Sequence, residues 1–90
     1  MDWHAFPGGD LVADGLADLA ANRDTVAAAL VSIGAPRLRF LGVIPARVLP
    51  DPELRLYELL ATEHQDAAHG RYNALVRRLV SFERAVACAR

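Results

Sequence analysis

The sequence predicts an all-α fold, a single compact domain of four to five helices spanning residues 1–90. Apolar side chains recur in steps of three and four through most of the chain and nowhere alternate over a sustained run. Alanine, the strongest helix former, supplies 17 of the 90 residues. Asp51-Pro52-Glu53 is a clear helix start: a capping residue, a proline for the first turn and an acid at the positive end of the dipole. Ninety residues suffice for one core and not for two. The hydrophobic fraction is 53%, but so much of it is alanine that the core is thin in volume. A thin core is often completed by a second subunit.

Met1 to Gly9 combines Trp3, His4 and Phe6 with the turn signal Pro7-Gly8-Gly9, so residues 1–9 read as an N-terminal strap or arm. Trp3 and Phe6 either fold back on the helices or insert into a partner. Asp10 is positioned to cap a first helix through Ala21, with Val12, Leu16, Leu19 and Ala20 on one face and Asp14 and Asp18 on the other. Asn22 closes it. Gly15 costs ~1 kcal/mol relative to alanine inside this helix and is tolerable where another helix backbone comes close.

The next helix, 24–33, starts at Asp24 or Thr25 and is capped by Gly34. Its body is apolar on nearly every side, which places it at the centre of the domain. Pro36 opens a short helix through Leu41, ended by Gly42. The proline-marked stretch Val43 to Pro50 reads as a packed loop. After Asp51, a helix to about Thr62 carries Leu54, Leu56, Tyr57, Leu59, Leu60 and Ala61, leaving mainly Arg55 and Glu58 for water. This pattern predicts a helix sandwiched between others. Asp66 caps the long final helix, 66–90, whose apolar face holds Tyr72, Leu75, Val76, Leu79, Val80, Phe82, Val86 and Ala87. Gly70 allows its first turn to be separate.

Ten arginines and no lysine accompany the alanine enrichment, a pairing that reads as codon bias before function. The net charge of −1 lacks the basic excess of a dedicated nucleic-acid binder. Charge is nonetheless uneven: residues 1–35 hold five aspartates against Arg23, and residues 36–90 hold nine arginines against six acids. The single Cys88 forms no internal disulfide. The acidic start resembles no signal peptide, and the longest uncharged run, Thr25 to Pro36, is 12 residues, too short to span a bilayer. A cytoplasmic protein without a membrane partner is expected.

Glu83 falls on the apolar face of the final helix, between Val76 and Leu79. A buried charge there requires a partner, so a salt bridge to Arg37, Arg39 or Arg55 is expected; otherwise Glu83 faces water at a frayed or uncovered helix end, or reaches across an interface. Arg71 and Arg78 lie on one flank of that face, and Arg77 and Arg84 on the other. Such arginines ordinarily lay their aliphatic stems along the core edge and keep their heads in water. As functional residues they would face an acidic protein partner, or a phosphate backbone. Glu63, His64, Asp66 and His69 form a cluster of potential metal ligands, but the two histidines stand five apart, about 140° around a helix. No metal and no cofactor is expected.

The segment Leu16 to Leu30, with Leu19-Ala20 and then Thr25-Val26, resembles a helix-turn-helix DNA-binding motif, though neither leucine stands at that motif's spacing from the threonine. Ala27, Ala28, Ala29 and Val31 also offer base edges only apolar contact. No nucleophile, general base and glycine-rich loop come together as an enzyme would need. The sequence therefore favours a non-catalytic protein-interaction or regulatory subunit: a small helical adaptor, accessory or antitoxin-like protein, homo-oligomeric or bound to a larger partner. Trp3, Phe6, Arg71, Arg77, Arg78 and Arg84 are its candidate interaction residues. The alternative is a nucleic-acid-binding regulator using the arginines after residue 36.

Overall fold

The computed structural model describes residues 2–89, so Met1 and Arg90, the ends of the expected strap and of the expected last helix, lie outside the described residues. The all-α prediction holds, with four helices: α1 (Gly9–Ala20), α2 (Val26–Phe40), α3 (Pro52–Glu63) and α4 (Ala68–Ala89). Short 3₁₀ turns at Trp3–Ala5 and Gln65–Ala67 precede α1 and α4. They fold into one compact body measuring 38 × 25 × 19 Å. α2 packs against all three other helices, whereas α1 and α3 flank it without close approach of their backbones.

α1 begins one residue before the expected cap. Gly8 holds the cap position in a left-handed conformation, φ 74°, which frees Asp10 to face α4. The helix ends as Asn22 predicts: at φ 60° it turns the chain, while its N–H reaches the Leu19 carbonyl and that of Arg23 reaches the Asp18 carbonyl. Gly15 is buried where α1 crosses α2, and a Cβ there would run into the Ala27 carbonyl and a Val31 methyl. The close helix approach anticipated from the sequence is thus present.

α2 corrects the expected boundaries. Thr25 caps it, accepting a bond of 3.1 Å from the Ala28 N–H. The helix then runs on through Gly34 and Pro36 to Phe40, where two elements were expected. Gly34 is a packing residue instead of a cap, because a Cβ there would lie 3.0 and 3.1 Å from the methyl carbons of Leu79. Pro36 sits on the exposed side and interrupts the helix only by its missing N–H. Gly42, at φ 89°, ends the combined helix, with the Val43 N–H returning to the Leu38 carbonyl.

Loop 43–50 is packed, burying Val43, Pro45 and Leu49. Ser32, the one buried polar side chain among the described residues, fixes it: its hydroxyl donates to the Ala28 carbonyl at 2.9 Å and accepts from the Leu49 N–H at 3.0 Å. Arg47 holds the same loop to the end of α1, donating to the Leu19 carbonyl at 2.9 Å.

α3 starts at Pro52 as predicted, but the Asp51 side chain makes no capping bond. Its coverage departs further from expectation. Only Leu56 and Leu60 are buried, while Leu54 and Tyr57 remain 60% and 43% exposed, so the helix is covered on one side rather than sandwiched. The separate first turn allowed by Gly70 is present, and it places Asp66 inside the 3₁₀ turn instead of at the cap of α4. Phe82 lies fully buried at the middle of the core. No helix among the described residues is long and apolar enough to cross a membrane.

Candidate functional site

A furrow lies where the end of α1, the start of α2 and the end of α3 converge. Its first part, about 690 Å³, has an apolar floor of Leu11, Ala17, Val26, Ala27 and Leu59. Four carboxylates, Asp14, Asp18, Asp24 and Glu63, line it against one arginine, Arg23. A second part of about 380 Å³ continues between α3 and α4, sharing Val26 and Glu63 with the first. There the polar lining is Glu63, His64, Arg71 and Arg78, around Leu60, Ala74 and Leu75. One face of the molecule is therefore acidic at one end, basic at the other and apolar underneath.

Local structure uses some of these charges. Asp18 accepts a bond of 2.6 Å from the Thr25 hydroxyl and another of 2.9 Å from Arg23, which together hold its carboxyl below the usual value. Thr25 is the only hydroxyl lining the furrow, and it is committed to Asp18 and to capping α2. Asp24 is paired with Arg47 at 3.2 Å. Asp10 receives Arg78 at 3.0 Å. Partial desolvation raises the Asp10 carboxyl, but the Leu11 N–H and the Arg78 guanidinium outweigh it and leave its pKa lowered. The Asp14 and Arg71 side chains are exposed, and neither has a hydrogen bond or ion pair with another described residue.

The residues singled out from the sequence are dispersed. Trp3 and Phe6 pack edge-on against Phe82, with ring centroids 5.8 and 6.0 Å away, so both serve as a strap over the core. Arg71 and Arg78 line the basic end of the furrow. Arg77 and Arg84 are exposed and unpaired among the described residues.

Glu83 is half-buried over Gly34, and its expected salt bridge is not formed: no arginine lies within 4.0 Å of it among the described residues. Burial pushes its carboxyl above the ordinary value of 4.5, and the Arg37 charge pulls it part of the way back. The reason is geometric. Gly34 offers no side chain to hold the carboxylate away from the α2 backbone, so Glu83 lies against the glycine instead of extending to Arg37.

Sequence reasoning did not place Glu63 and Leu59 in one furrow with Asp14. The acidic bias of residues 1–35 was the available signal, but pairing α1 with the far end of α3 required the bundle itself. His64 stands 3.6 Å from Glu63, and His69 bonds Asn73 at 3.3 Å, so the two histidines look to different neighbours. The described residues contain no group of three histidine, cysteine or acidic side chains suited to a metal. Chemically, the furrow can bind cations at one end and anions at the other and can shelter apolar side chains between them. No family model, curated protein or solved structure matches the chain.

Proposed function

We propose that the protein is a non-catalytic interaction subunit, a small helical adaptor or regulatory component that works by covering another protein surface. One observation carries the reading. Ile44, Val48, Leu54 and Tyr57 are between 41% and 65% exposed, and Phe40 is 77% exposed, all within one 18-residue stretch of a 90-residue chain. Scattered apolar residues on a surface need no explanation, but α3 carries Leu54 and Tyr57 one turn apart, Leu54 exposed and Tyr57 half-exposed beside Tyr72 of α4. Helices with such a stripe are read by partners through anchors at this spacing. The nucleic-acid alternative draws less support, because Arg47 and Arg78 are already tied to Asp24 and Asp10.

Two measurements test the reading together. Sedimentation across a concentration series, for the natural chain and for Leu54→Asp, reports self-association through α3. Photo-cross-linking from position 54 in living cells reports a partner. The expected result is a mass that falls on substitution, or an adduct absent when the cross-linker is moved to Ser81. A chain that is monomeric throughout and gives no such adduct would overturn the reading.

A further inference from the structure

The end of α2 and the loop after it are basic and apolar at once. Residues 25–50 hold Arg37, Arg39 and Arg47 and no acidic residue, the longest stretch of the chain without one. Phe40, Ile44 and Val48 are exposed within it. From Leu41 to Leu49 burial follows an alternation: Leu41, Val43, Pro45 and Leu49 are turned inward, and Gly42, Ile44, Ala46 and Val48 outward. This loop is pinned. The Val43 N–H bonds the Leu38 carbonyl, the Leu49 N–H bonds the Ser32 hydroxyl, and the Arg47 guanidinium bonds the Leu19 carbonyl. The outward apolar side chains are therefore presented by a backbone already ordered before any partner arrives, which lowers the cost of binding.

We propose that this surface takes an acidic segment of a partner protein, one that sets apolar side chains against Ile44 and Val48 and carboxylates against Arg37 and Arg39. Charge complementarity names the occupant. Arg37 and Arg39 are exposed, and neither forms an ion pair among the described residues. A basic partner would meet like charge there, and an uncharged apolar one would cover two guanidinium groups without pairing them. An anionic membrane fits less well. Membrane sites of this kind gather about 4–8 basic residues, whereas the third arginine here, Arg47, is half-buried and engaged by Leu19 and Asp24. A second copy of this chain fits less well too, because its Asp10, Asp18 and Asp24 are paired at home. This inference rests on the interaction reading and gives the partner of that surface its chemistry.

The test is fluorescence anisotropy of labelled synthetic peptides on the full chain, with circular dichroism to confirm that each variant is folded. A peptide of leucine and glutamate should bind, and a peptide of serine and glutamate should bind about ten-fold more weakly or less. Ile44→Ser and Arg39→Glu should each weaken the first peptide about ten-fold, whereas Ser81→Glu, which moves the net charge the same way from α4, should leave it unchanged. A peptide of leucine and lysine should bind more weakly, or at a place that Ile44→Ser does not affect. If the lysine peptide binds as tightly and is weakened by Ile44→Ser, the inference is overturned. It also falls if the glutamate peptide fails to bind up to about 1 mM, or binds with no regard to Ile44→Ser and Arg39→Glu. Retention on vesicles of phosphatidylglycerol and phosphatidylcholine that Arg39→Glu abolishes would make this a lipid surface, and a sedimenting mass that falls with Ile44→Ser would make the occupant a second copy; either result overturns the inference. If the glutamate peptide fails while the adduct from position 54 forms, the interaction reading stands and this inference alone is lost.

Discussion

α2 and α3 both carry runs of apolar residues, α2 the more of them, and have very different surroundings. Along α2, Ala28 to Ser32 are buried in succession, as are Gly34, Ala35 and Leu38. α3 buries only Leu56 and Leu60. The contrast lies in side-chain size. Ala27, Ala28 and Ala29 let α1 approach so closely that Gly15 touches the α2 backbone, and Gly34 admits Leu79 of α4. Small residues thus give α2 three helical neighbours, while α3 packs only against α2 and α4. Among the described residues no third helix packs against α3. Apolar content tells how much cover a helix could use, and the number of neighbours tells how much it receives.

The comparison within α3 is broken most directly by truncating one leucine on each side. Leu56→Ala should cost about 2–5 kcal/mol, because the side chain is fully buried and its truncation removes apolar contacts and leaves a cavity. Leu54→Ala should cost less than about 0.5 kcal/mol in the isolated chain. Equilibrium urea unfolding checks both. If the Leu54 variant loses as much as the Leu56 variant, the outer side of α3 is covered in solution and the asymmetry between the helices disappears.

On α2, Ser32 is the exception to an apolar interior, and Ser32→Ala probes the cover that loop 43–50 provides. The substitution leaves the Leu49 N–H without its acceptor in a buried place, at a cost of about 1–3 kcal/mol. Hydrogen exchange sharpens the result, since the Leu49 amide should lose protection while amides of α1 keep theirs. A variant as stable as the natural chain would mean that the loop is not anchored through this bond.

Much of this architecture was legible in residue order. The start signal at Asp51-Pro52, the Asn22 and Gly42 stops and the apolar face of α4 all depend on neighbours within one or two turns, and each was read at its place. Gly34 was misread because its local meaning, an ending, was overridden by Leu79 packing from 45 residues away, and the helix then ran on through Pro36. The furrow was the least legible feature. Asp14 and Arg71 were visible as surface charges, but their common face exists only after α1, α3 and α4 are arranged around α2.

The smallest expected effect concerns Glu83, where α2 and α4 meet over Gly34. Its folded-state pKa is raised by burial, so the fold prefers the protonated carboxyl. The stabilisation from protonation is present in full below about 4.5 and is lost as pH rises through the raised value. Asp10 and Asp18 act in the opposite sense: their lowered values contribute stability above 3.8 that is lost as pH falls through them. Glu83→Gln keeps the shape without the charge. It should therefore be more stable than the natural chain at pH 7, by no more than ~1 kcal/mol because a half-exposed carboxylate is screened by water. The gain should vanish near pH 4, where the natural side chain is itself protonated, and the loss of stability below that pH should remain in both proteins. Unfolding free energies at three pH values suffice to see this. A Glu83→Gln variant that is less stable at pH 7 by more than ~1 kcal/mol would mean that the ionised carboxylate has a partner in solution. That partner would be Arg37 brought closer or a residue of another chain, and Gly34 would then be the site of an ion pair between α2 and α4 or across an interface.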